Sequence, residues 1–208
     1  MIVALCLSLI SVYLWRQLDE LLDNIEKCPK KIRNYLATIH ALSIIILNWN
    51  HTELIRAISM GYFMEDALHR LQYSSWLQIS NIVLVLHHLF AVVFYMSMDY
   101  IDAPALVLAQ SALFWAEISN IPGNLVYHYL KASGTKGPWY PILQISQTVI
   151  YSSIRIGGLG YYYYHAYETY SSEYPVLLTL FTLIYLMGLY WSATLFGQSR
   201  QAWIQLSV

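Results

Sequence analysis

Seven runs of mostly apolar residues divide this chain and leave only short charged or aromatic links between them. They are approximately Met1–Trp15, Tyr35–Trp49, Leu54–Leu71, Ile79–Met98, Ala103–Leu130, Trp139–Tyr164 and Pro175–Phe196. A membrane-crossing helix takes roughly 17–25 mainly apolar residues, so the first two runs are short and their ends uncertain. The third carries Glu65, Asp66 and His69 and qualifies only because the loop charges fail to sort by side without it. Charged residues make up 11% of the 208, and mean hydropathy is +0.46. A soluble domain carries about 25% charge, so the chain lacks what a water-facing surface needs. The expected fold is all-α, a polytopic membrane bundle of about seven transmembrane helices.

With seven spans, Arg16, Lys27, Lys30, Lys31, Arg33, Arg70, Lys131, Lys136 and Arg200 fall on one side. The opposite loops hold Asp99, Asp102, Glu168 and Glu173, with Arg56 the nearest base. The positive-inside rule then puts the N-terminus lumenal or outside and the C-terminus in the cytosol. Residues 1–34 read as a retained first span and a charged cytosolic loop, and 35–208 as the main transmembrane domain. A removed signal peptide is not expected, because the first run lacks a basic leader and a small-x-small cleavage site. The two cysteines, Cys6 in a span and Cys28 in a loop, suit neither a disulfide nor a metal site. The sequon Asn50-His51-Thr52 lies too close to the membrane to be expected in use. Ser133–Pro138 is a turn, without the spacing of a phosphate loop. A net charge of −1 argues against nucleic acid as a partner, and the nineteen tyrosines and seven tryptophans fit interfacial belts.

Ionisable residues within such spans mark candidate sites. His87 and His88 sit inside NIVLVLHHLFAVVFYM, and about 100° of helical rotation separates them. One ring can face the bundle interior while the other packs to the side. In the fifth run Gln110, Glu117, Asn120, Asn124 and His128 share a helical face that Pro122 interrupts. Such a stripe suits either a shielded ligand cavity or interhelical polar contacts. The sixth run aligns Gln144, Thr148, Tyr151 and Arg155. Arg155 must pair with Glu117, Asp66 or a lipid headgroup, or else snorkel, because it keeps its proton. His69 and His128 read as wet interfacial histidines, His40 as a packed, hydrogen-bonded one, and His51 and His165 as loop residues.

These landmarks together resemble the TLC-domain family, which includes the ceramide synthases and smaller TLC-domain membrane proteins. The carrying residues are Gly61-Tyr62-Phe63-x-x-Asp66, then His87-His88-Leu89-Phe90-Ala91, Glu117-Ile118-Ser119-x-x-x-x-Asn124, and Arg155-Ile156. Their order resembles that of the small TLC-domain subgroup from about Tyr35 onward. The resemblance also suggests Asp66 inward and Glu65 toward the rim. Ceramide synthases follow the histidine pair with His-Asp-x-x-Asp, where this chain has Ala116-Glu117-Ile118-Ser119-Asn120. The proline is one place later, at Pro122, and a basic residue is replaced around Val126.

The resemblance implies a role in lipid metabolism or lipid homeostasis in internal membranes, the endoplasmic reticulum ahead of the plasma membrane. One expectation is an acyl-CoA-dependent transferase acting on a membrane lipid, with no bound cofactor and no metal. There His87 or His88 acts as base or nucleophile and Asp66 or Glu117 orients the ring. Asn120, Asn124, Arg155, Tyr151 and Gln110 then bind lipid. The alternative is a non-catalytic lipid-binding protein that senses or regulates membrane composition, favoured by the missing His-Asp-x-x-Asp motif. Membrane lipids are the expected partners in both, with a homo-oligomer or other membrane proteins open. A diiron hydroxylase lacks its HxxHH boxes here, and a retinal protein lacks its lysine in the last span. A channel or transporter is a poor third, given the single Arg155 and no repeats.

Overall fold

The computed structural model describes residues 2–47, 52–73, 78–134 and 136–206, and every regular element among them is helical. Helix α1 spans Ile2–Ile25, α2 Pro29–Leu47, α3 Thr52–Tyr73 and α4 Ile79–Ser97, which tightens into a 3-10 turn over Met98–Tyr100. Helix α5 covers Ala103–Ile118 and α6 covers Ile121–Ser133. Helix α7, Tyr140–Ser152, continues through a π-helical turn at Ser153–Gly158 into α8, Leu159–Tyr170. The last helix, α9, is Pro175–Leu206. Among the described residues, each apolar run of the sequence falls on one helix or one interrupted helix. The sequon residues Asn50 and His51, Thr135 of the turn after α6, and the last two residues lie outside the described residues.

The interruptions have local causes. Pro122 in the first turn of α6 has no N–H to give Ile118, so the fifth run breaks at Ser119-Asn120. Asp102 starts α5 by accepting from the Ala105 N–H at 3.0 Å. Gly134 ends α6 at φ +67°, a left-handed position that suits glycine. Between α1 and α2 the Glu26 carboxylate accepts from Lys31 Nζ and the Cys28 N–H, each at 3.0 Å. The lysine bond holds the Glu26 carboxyl below its usual range and raises the Lys31 ammonium.

Helix α1 lies along α3, so the segment 1–34 belongs to the same bundle as the rest. Helix α3 continues the contact onto α4, α9 packs along α4 and α7, and α2 lies against α3, α5 and α6. Leu36, Ile44, Phe94, Tyr95 and Leu159 are buried between these elements. Outward, α4 exposes Ile82, Leu86, Leu89, Val93 and Met96, an apolar stripe at alternating spacings of four and three. Two stretches, Ile79–Tyr100 and Pro175–Ile204, are long and apolar enough to cross a membrane by length and composition. Helix α3 carries Glu53, Arg56, Glu65, Asp66 and Arg70, and α5 stops after 16 residues.

Candidate functional site

Asp66 projects from α3 into the bundle and is 1% exposed. His88 of α4 places Nδ1 3.1 Å from Asp66 Oδ2. Arg70, one turn along α3, donates to the same oxygen, and Arg33 of α2 reaches Oδ1 at 3.4 Å. Arg33 is held mainly by Glu65 and by Asp19 of α1, the latter at 2.6 Å. Glu65 was expected at the rim. It is buried instead, because the Arg33 guanidinium follows it inward and satisfies it there.

The two adjacent histidines diverge as helical rotation requires. His88 turns inward onto Asp66 and lies 5.1 Å from the Phe63 ring, while His87 meets Trp191 of α9 edge-on, also at 5.1 Å. Their ring centroids are 5.6 Å apart. His87 Nδ1 is buried and has no hydrogen-bond partner among the described residues.

A second acid–histidine pair lies at the end of α5. Glu117 Oε2 is 3.4 Å from His40 Nδ1 of α2 and accepts from Asn120 Nδ2 at 3.3 Å. The Asn120 carbonyl oxygen accepts in turn from Arg155 Nη2 at 3.3 Å. Arg155 also donates to the Ala116 carbonyl at 3.0 Å and to Ser119 Oγ at 2.9 Å. The helix break exposes that carbonyl, and the π-helical turn carries Arg155 to it; such turns often mark functional positions. Among the described residues Arg155 has no ion pair, so it meets Glu117 through Asn120. Its Nη1 is buried and without a partner there, and the guanidinium carbon lies 5.2 Å from the Tyr151 ring.

Gly188 of α9 makes room for this arginine, since a β-carbon there would sit 3.2 Å from Arg155 Cδ. Arg155 is buried and tied by hydrogen bonds to Ser119, Ala116 and Asn120, so it has little freedom to yield. Gly188→Val is therefore expected to destabilise the bundle by about 2 kcal/mol, read as a lowered thermal midpoint in detergent.

The polar stripe of the fifth run is split by the break. Glu117 and Asn120 stay with Arg155, while Gln110 lies near Arg56 and Tyr95, lining a cavity of about 10 Å³ with them. Asn124 is buried on α6 with its Nδ2 unpartnered among the described residues, and its carbonyl accepts from Asn34 Nδ2 at 3.2 Å. His128 lies 2.8 Å from Asn34 Nδ2 and stacks on Tyr35. A second cavity of about 20 Å³ lies among Phe94, Ala109, Ala166 and Phe181. Neither cavity is bordered by His87, His88 or Arg155. Sequence reasoning missed Arg33 as a partner of Asp66 and His40 as the neighbour of Glu117. The buried face of α2, Ile32, Leu36, His40 and Ile44 at four-residue spacing, carried the signal for His40. No family model matches the chain, and no curated protein or solved structure matches it either.

Proposed function

We propose that this chain crosses the membrane seven times and transfers an acyl group to a membrane lipid at the Asp66–His88 pair. The observation that carries the reading is the 3.1 Å approach of His88 Nδ1 to a buried carboxylate inside an apolar bundle. The seven-span topology, N-terminus lumenal and C-terminus cytosolic, is supported by the charge sorting, the outward apolar stripe of α4 and the two helices that qualify as spans. The endoplasmic reticulum is the proposed location.

His88 Nδ1 approaches Asp66 Oδ2 at ion-pair distance, short of hydrogen-bond geometry, and a proton held on Nδ1 beside that carboxylate leaves Nε2 as the basic nitrogen. Nε2 removes the proton of a lipid hydroxyl or amine as that group attacks the carbonyl of an acyl-CoA thioester. The C–S bond breaks, and the imidazolium returns the proton to the departing thiolate. His87, with a free Nδ1, is the candidate to carry the acyl group if transfer proceeds in two steps. Arg155 offers a charged, buried donor for a phosphate or a developing oxyanion. Asn120 and Tyr151 hold its guanidinium, while Asn124 offers a further unpartnered amide.

His87→Ala/His88→Ala is expected to leave the protein inserted and to lower turnover by about 10²-fold or more. Untargeted lipidomics at matched expression reads this as a lipid class whose acyl composition shifts only with wild type. Full activity in the double variant would sink the reading. One observation favours a non-catalytic lipid binder instead: Asp66 also meets Arg70 and Arg33, as in a structural ion cluster. In that case a lipid copurifies, Arg155→Ala weakens its retention, and no product forms.

A further inference from the structure

We propose that the cavity lined by Arg56 and Gln110 is a binding site for the hydroxyl group of an uncharged lipid, separate from the Asp66–His88 pair. The site depends on the membrane embedding proposed above for α5, and not on acyl transfer. Arg56 of α3 is 4% exposed and lines a space of about 10 Å³ together with Gln110 of α5. Its Nη1 is committed, lying 2.7 Å from Asp99 Oδ1 and 3.1 Å from Glu53 Oε1. Its Nε is buried and has no hydrogen-bond partner among the described residues. The Gln110 side chain likewise makes no hydrogen bond among them, although it stands inside an apolar helix. A buried polar group left unpaired costs about as much as a lost hydrogen bond, so two of them at one cavity call for a ligand.

Size, charge and hydrogen-bonding capacity agree on which group enters. A space of about 10 Å³ takes roughly one water-sized group, too little for a phosphate or a choline. Glu53 and Asp99 already set two carboxylates against the one Arg56 charge, so a further anion is repelled and a neutral group is not. The guanidinium only donates, whereas the amide both donates and accepts. A hydroxyl does both as well and meets the two partners at once, while an ester carbonyl leaves the amide oxygen unpaired.

The position of the mouth attaches that hydroxyl to an apolar body. Ile44 of α2 and Tyr95 of α4 are buried at the floor, while Gln110, Leu113 and Phe114 are partly exposed, so the cavity opens along α5. Val107, one turn before Gln110 on the same face, is apolar and exposed. Gln110 lies about 12 Å along α5 from its cap at Asp102. In a bilayer-embedded helix that depth meets hydrocarbon, and a molecule arriving there is itself dissolved in the membrane. A sterol and a diacylglycerol both carry one free hydroxyl on an uncharged apolar frame.

The test uses the full chain in phosphatidylcholine nanodiscs with three photoactivatable lipids: a cholesterol analogue, a diacylglycerol analogue and phosphatidylcholine. Crosslinks to α5 are mapped by mass spectrometry. One or both alcohols are expected to label α5 saturably, which identifies the lipid. Gln110→Leu keeps the volume and removes the amide, and is expected to lower that labelling about fivefold. The thermal midpoint and phosphatidylcholine labelling should stay as in wild type. In wild type, the acetyl ester of the same alcohol should compete about tenfold less well than the free alcohol, because the hydroxyl proton is gone. Dioleoyl phosphatidic acid should not compete, and Asp66→Asn should label as wild type does. Saturable labelling by neither alcohol overturns the proposal and leaves the cavity to water. So does equal competition by the capped ester, displacement by phosphatidic acid, or wild-type labelling in Gln110→Leu. Absence of phosphatidylcholine labelling on α5 removes the embedding of that helix and the site with it.

Discussion

Asp66→Ala is expected to cost about 3–5 kcal/mol of stability, because it removes one partner of a buried ion cluster and strands the others. Arg70 loses the carboxylate it contacts from one turn away, and His88 loses the group that orients its ring. Arg33 suffers less, since Glu65 and Asp19 still hold it. Asp66→Asn separates stability from chemistry. It preserves shape and one acceptor oxygen, so the loss should fall to about 1–3 kcal/mol. The amide nevertheless cannot anchor an Nδ1–H as a carboxylate does, so turnover should drop by about 10²-fold or more in a protein that remains folded. Apparent unfolding midpoints in detergent and product formation, measured on the same preparations, give the two halves. Glu65→Ala serves as the comparison on the same helix, leaving Arg33 its salt bridge to Asp19. Wild-type stability in Asp66→Ala would mean that the cations around it find water or other partners at no cost.

Hydropathy marked where α4 and α5 begin, at Ile79 and Ala103. Pro122 announced the break in the fifth run, and the inward turn of Asp66 was suggested only by the family resemblance. Less visible was which polar groups would meet across helices, because that depends on packing register rather than on any one segment. Arg33 counted in the sequence as a cytosolic loop charge, yet α2 begins at Pro29 and carries it one turn down to Glu65 and Asp66. For Arg155 the sequence left Glu117, Asp66, a lipid headgroup or snorkelling open. In three dimensions His40 and Asn120 reach the Glu117 carboxylate, and the arginine donates to the Ala116 carbonyl and to the Ser119 hydroxyl, which itself donates to that carbonyl. The π-helical turn that aims Arg155 has Gly157 and Gly158 as its only local hint. The proposal of α3 as a span rests on charge sorting alone, because its acids and arginines lower its hydropathy and meet partners only after folding.

Gly61→Ala should be the most damaging single methyl group in the chain. In an open helix this change stabilises by about 1 kcal/mol, since alanine is the better helix former. At Gly61 the new β-carbon would lie 2.3 Å from Ser11 Oγ and 2.8 Å from the Ser11 backbone carbonyl carbon. Rotating the serine relieves the first contact and leaves the second, so α1 as a whole must move away from α3. That movement breaks the bond from Trp15 Nε1 to the Ile58 carbonyl, 3.1 Å long, and opens the face that Ser8 and Ser11 bury. Small residues at a helix crossing serve this close approach, and in a bilayer packing is the main force that holds such a pair. The expected loss is about 3 kcal/mol, overpacking together with the lost contacts. Ser11→Gly in the same chain should recover only part of it, because the backbone atom remains in the way. Gly197→Ala, on α9 with open space around it, should move the midpoint slightly upward. If Gly61→Ala shifts the midpoint no more than Gly197→Ala does, α1 is not seated on α3 as described.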